Sequence, residues 1–243
     1  EELKCLQVLT RNRKGSAEEI ASLAGLPETI TYDVLQGLQK KKKVIFKLGE
    51  MFQKDKSKPK KMDPYPMWHP RRKGVSAALR SWGASEGSDF SNIKELHPDK
   101  ICTPHRNISR RWLAWLRSAY PHAEIWTGWS EVKIPGTSVR PDALAWGRIQ
   151  GFETVFWLEV GDNHKKRRQI EEITKQRLSE AWRFCRETGT RLVYASISLN
   201  WVHEAVAWTC TSLPAGVAVI LGDRRIVGRL PNVEWGRVSR LAN

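Results

Sequence analysis

Apolar residues at Leu3, Leu6, Val8 and Leu9 begin an amphipathic helix that should end near the polar, glycine-containing stretch 11–15. Ser16-Ala17-Glu18-Glu19 then reads as a capping box, in which the serine side chain serves a helical N–H and Glu19 reaches back to the cap. It opens a second helix burying Ile20, Leu23 and Ala24. Gly25 permits a tight turn, Pro27 suits the first turn of a new helix, and Ile30, Val34, Leu35 and Leu38 give that third helix one apolar face. The run 44–52, with Gly49 in its middle, predicts a hairpin of the kind that forms the wing of a winged helix-turn-helix.

Beyond residue 53 the pattern breaks. Residues 54–73 mix Lys and Arg with Pro59, Pro64, Pro66 and Pro70, a composition that resists helix and sheet and predicts an extended basic linker. Residues 74–100 show no clear period. Ile108, Trp112, Trp115, Leu116 and Ala119 then predict a helix over 107–120, followed by strand-like segments at 123–129, 139–146 and 154–160. A long helix over 165–187 carries Ile170, Ile173, Leu178, Ala181, Trp182 and Cys185 on one face and stops before Gly189. A strand at 191–198, a helix at 201–210 and a strand at 217–221 complete an α/β domain with a mixed sheet. The expected organisation is a DNA-binding domain over 1–53, a linker over 54–73 and a second domain over 74–243.

Charge sharpens the functional side. Forty-one Lys and Arg against 26 Asp and Glu give a net charge of +15, which favours a polyanionic partner, double-stranded DNA first. The face of the third helix offers Thr29, Thr31, Tyr32 and Gln36 to base edges or phosphates. Lys41, Lys42, Lys43 and Lys47 on the wing side, with Lys165 and Lys166 opening the long helix, are candidate phosphate contacts. No apolar run approaches the roughly 20 residues of a bilayer span and no secretory pattern is present, so a cytoplasmic protein without a membrane partner is expected. The four cysteines lack metal or disulfide spacing and read as reduced core residues; His97, Cys102 and His105 lack a fourth zinc ligand nearby. Most of the 12 tryptophans are expected in the core.

The order helix, three strands, helix, strand, with Arg140-Pro141-Asp142 on one strand and Glu159 on the next, resembles the PD-(D/E)xK restriction-nuclease fold. A closer resemblance, over most of residues 1–200, is to the replication-relaxation proteins of plasmids and mobile elements, which pair a winged helix with a nuclease-like domain. It rests on His105, Arg140-Pro141-Asp142-Ala143, Glu159-Val160, Lys175 and Trp182. That resemblance implies Mg²⁺ held by Asp142 and Glu159, with Glu131 as a further ligand, activating water against a phosphodiester. The chain departs from the nuclease pattern at Gly161, where the motif has its catalytic lysine; Lys175 or Lys165, from the following helix, is the candidate substitute. The functional expectation is a DNA-binding accessory factor of a mobile element, acting as a homodimer or with partner proteins of that element. Two alternatives are an active Mg²⁺-dependent endonuclease and a winged-helix transcriptional regulator whose nuclease-like domain is inactive and dimerises.

Overall fold

The computed structural model describes residues 1–47, 50–52, 61–63, 67–83, 104–119, 122–130, 134, 137–161, 166–198, 200–223 and 234–240. The chain is mixed α/β and divides into two compact units, Glu1–Ala114 and Trp115–Asn243.

In the first unit three helices, α1 (Glu2–Asn12), α2 (Ala17–Ala24) and α3 (Glu28–Lys40), close around Cys5, Leu6, Leu9, Ile20, Leu35 and Leu38. The capping box forms as the sequence predicts: Glu19 N–H donates to Ser16 Oγ at 3.1 Å and Ser16 N–H to Glu19 Oε2 at 3.0 Å. Gly25 ends α2 in the left-handed region at φ 66°, a conformation that costs a glycine little and other residues more.

The strand pairing reaches further along the chain than expected. Strands β1 (Val44–Lys47) and β2 (Glu50–Phe52) do not pair with each other. Each finds its antiparallel partner in the stretch expected to be linker, β2 with β3 (Lys61–Asp63) and β1 with β4 (Met67–Pro70). Gly49 lies outside the described residues. Lysines and prolines dominate the composition of 54–73 and hide Met62, Met67 and Trp68, the apolar residues that make a return arm; Pro70 sits at the end of its strand, where a missing N–H costs least. Trp68 enters the core and exchanges two backbone hydrogen bonds with Gly15, at 2.8 and 3.1 Å, so the arm is stitched to the segment between α1 and α2.

A fourth helix, α4 (Arg72–Ser81), follows directly, which puts the division between units at Ala114 and not in 54–73. Its signal in the sequence is short, Val75, Ala78 and Leu79 at spacings of three and one, and all three are buried. Helix α5 (Pro104–Ala119) begins earlier than expected and so includes His105. Its Arg110 is 2% exposed and lies 3.4 Å from Glu19, while Ser22 Oγ donates to Ala114 O at 2.6 Å; these contacts hold the start of α5 onto α2.

The second unit is built on a six-stranded sheet among the described residues, in the order β10-β9-β8-β7-β6-β5. Strands β5 (Glu124–Ser130), β6 (Ala143–Ile149) and β7 (Phe152–Val160) form an antiparallel meander. Helix α6 (Arg167–Thr188) then connects β7 to its parallel neighbour β8 (Arg191–Ser198), and α7 (Asn200–Thr209) connects β8 to β9 (Val217–Asp223); β10 (Val238–Arg240) was not legible in the sequence. Residues 154–160 and 192–198 are buried without interruption, as strands covered on both faces must be. One face packs Trp157, Tyr194, Val219 and Leu221 against Ile170, Ala181 and Cys185 of α6 and Val202, Ala205 and Val206 of α7.

Candidate functional site

Strand register sets the acidic pair. Ala143 faces Leu158 across β6 and β7, so Asp142, one residue ahead of β6, stands opposite Glu159, one residue from the end of β7. Asp142 therefore precedes its strand instead of lying on it as expected. Its amide donates to Leu158 O at 3.0 Å, and its Oδ2 accepts the Val160 amide at 2.7 Å, which extends the ladder by one side chain.

Glu159 is 5% exposed, and both of its oxygens are engaged. Oε1 accepts the indole N–H of Trp157 at 2.9 Å, and Oε2 is ion-paired with the guanidinium of Arg177 on α6. Burial pushes the Glu159 carboxyl up to about 8, Arg177 and the Trp157 N–H oppose that push and Asp142 adds to it, so the contact with Arg177 becomes a full ion pair only as pH rises through that value. The same cluster includes the buried Tyr194 phenol, held neutral first by burial and then by Glu159.

Arg177 joins the acidic pair, and the sequence pattern did not single it out. Its signal is present, because α6 buries Ile170, Thr174, Ala181 and Cys185, and position 177 falls on that stripe at three residues from 174 and four from 181. A cation on a buried stripe requires an anion beneath it. Lys175, the expected substitute for the motif lysine, is exposed. At about 100° per residue, two positions turn it to the far side of α6 from Arg177.

Gly161 explains the departure from the motif. A Cβ built there would lie 2.4 Å from Ser198 Cβ and 3.2 Å from Ser198 Oγ, so the ends of β7 and β8 approach too closely for any side chain at that position. A lysine has no room to start.

The expected Mg²⁺ site does not fit these residues. A hard divalent cation needs several unprotonated oxygens turned toward one point, whereas here Glu159 is committed to an indole N–H and a guanidinium, and Asp142 Oδ2 to a backbone amide. No group of three or more His, Cys, Asp or Glu converges among the described residues. Glu131 and Lys165 lie outside the described residues, as do His97 and Cys102. Cys5, Cys185 and Cys210 are free and buried, and burial pushes their thiols up to about 11, 12 and 11.

The candidate DNA-contacting residues separate into two groups. Thr29, Tyr32 and Gln36 are exposed on α3, with Asp33 among them. Tyr32 also stands edge-on to Trp68 at 6.3 Å, joining α3 to β4. Thr31, expected on that outer face, is instead buried and donates its hydroxyl to Pro27 O, because positions 31, 35 and 38 form the core stripe, while Ile30, expected inside, is 38% exposed. In the lysine run Lys41 pairs with Glu2 at 2.5 Å and Lys43 lies 3.9 Å from it, so part of the run is neutralised within the unit; Lys42 is exposed. Lys47 is half-buried on β1, and Lys166 is exposed at the start of α6.

No described helix is long and apolar enough to cross a membrane. Comparison with protein-family models, with curated proteins and with solved structures finds no match.

Proposed function

We propose that this chain is a DNA-binding accessory protein of a mobile element, serving its replication, mobilisation or relaxation. In this reading a winged helix-turn-helix reads double-stranded DNA, and a PD-(D/E)xK-like domain engages DNA without cutting it. The observation that carries the reading is α3. It follows α2 through the Gly25 turn, keeps Thr31, Leu35 and Leu38 inside, turns Thr29, Tyr32 and Gln36 outward, and is joined through Tyr32 to the wing. The net charge of +15 supports a polyanionic partner. For the second unit, the strand order from β5 to β9, with β6 antiparallel to both neighbours and Asp142 facing Glu159, supports the nuclease-like architecture. The closed ion pair at Glu159 supports binding over cleavage.

Fluorescence anisotropy with duplex DNA tests the reading. The full chain should bind with an affinity that falls steeply with salt, equally in EDTA and in Mg²⁺. Thr29→Ala combined with Gln36→Ala should weaken binding to the preferred site by about 1–3 kcal/mol for each base these side chains read, leaving the unfolding midpoint unchanged. Salt-independent or absent binding refutes the proposal, and Mg²⁺-dependent nicking of supercoiled plasmid, abolished in Asp142→Ala, replaces it with an endonuclease.

A further inference from the structure

The disagreement between the acidic pair and a metal site has a direction. Three placements converge on it. Register brings Asp142 beside Glu159 at adjoining strand ends. Close approach of Gly161 to Ser198 excludes a side-chain cation from the end of β7. The core stripe of α6 carries Arg177 onto Glu159 from the helix covering that face of the sheet. The acids keep their strand positions, while the positive charge beside them is covalent.

We infer that the Arg177 guanidinium is a built-in counter-ion occupying the place of a divalent cation at Asp142 and Glu159, and that its presence shuts this site to Mg²⁺ and Mn²⁺. The inference rests on the nuclease-like reading of the second unit. A guanidinium suits the position, being more weakly hydrated than an ammonium and so cheaper to hold beside a buried carboxyl. A divalent ion brought to the same carboxylates meets a fixed like charge and an oxygen already bound. The chemical consequence is a domain that keeps the fold and the acids of a metal nuclease and needs no metal to hold its charge balance.

The test is an Mn²⁺ titration of the 243-residue chain, read by thermal unfolding and by calorimetry, on the wild type, Arg177→Met, Arg177→Gln and Asp142→Asn/Arg177→Met. Wild type should show no saturable Mn²⁺ binding that depends on Asp142. Removing the guanidinium should create it, with Mn²⁺ held at least about tenfold more tightly than by wild type, and the double variant should abolish it again. A single variant that folds only when Mn²⁺ is supplied supports the same conclusion. Saturable Mn²⁺ binding by wild type that disappears in Asp142→Asn overturns the inference, as does failure of both single variants to bind Mn²⁺, whether folded or unfolded. DNA anisotropy in EDTA, measured on the same preparations, reports separately on the functional proposal. Absence of DNA binding with the Mn²⁺ pattern intact removes that proposal alone.

Discussion

Each unit sets an arginine against a buried glutamate, and the two pairs differ in company. In the first unit Arg110 of α5 meets Glu19, whose Oε2 also caps α2, and Arg110 has a second partner in Asn107 Oδ1 at 2.7 Å. Anion and cation there face each other, with hydrogen bonds left over for architecture. In the second unit Arg177 of α6 meets Glu159, but Asp142 stands beside it, close enough to push the Glu159 carboxyl up. A second acid adjoins the pair. The first arrangement clamps a helix; the second adds a neighbouring carboxylate. A buried ion pair therefore says little about role until its neighbouring charges are counted.

The comparison is broken most forcefully at Arg110. Arg110→Ala leaves Glu19 buried without its cation and should destabilise the first unit by about 3–5 kcal/mol, measured by urea unfolding. A drop below about 1 kcal/mol would show that Glu19 is satisfied by its capping role and that the clamp is not structural.

pH sharpens the difference. The folded Glu159 carboxyl, raised to about 8 from an ordinary 4.5, contributes stability that is fully present below about pH 4.5 and is lost as pH rises through 8. Wild-type stability should thus decline across that window, by at most about 1.4 kcal/mol per pH unit from this group. Glu159→Gln should flatten the profile there. An unchanged slope in Glu159→Gln would assign the decline to another group.

The smallest effect belongs to Lys175. Exposed and turned away from Arg177, it should tolerate Lys175→Ala within about 0.5 kcal/mol of stability and with no change in Mn²⁺ behaviour. The appearance of Mn²⁺ binding in that variant would transfer the counter-ion role from Arg177 to Lys175.

Local signals were legible because they act within a turn or a strand. The Ser16–Glu19 capping box, the left-handed Gly25 and Gly189 caps and the strand Arg191–Ser198 fall where short-range pattern places them. The boundary of α3 was legible too, but not its inner face: Thr31 and Ile30 exchange places, because one helical position rotates a side chain by about 100° and only the packing partner decides which stripe is buried. Composition misled over residues 54–73, where lysine and proline mask an arm whose pairing is set by β1 and β2 and not by its own propensity.

By itself the sequence determined the first three helices, the helix and strand order of the second unit as far as β9, the surplus of positive charge and the presence of Asp142 and Glu159 on successive segments. Tertiary structure alone decided that β1 and β2 pair with β4 and β3, that Asp142 and Glu159 face each other, that Gly161 has no room for a side chain, and that Arg177 meets Glu159. The physical reason is range. Propensity, capping and amphipathic period are properties of neighbouring residues, whereas strand register, burial and the meeting of charges 18 residues apart exist only once the sheet and α6 have packed.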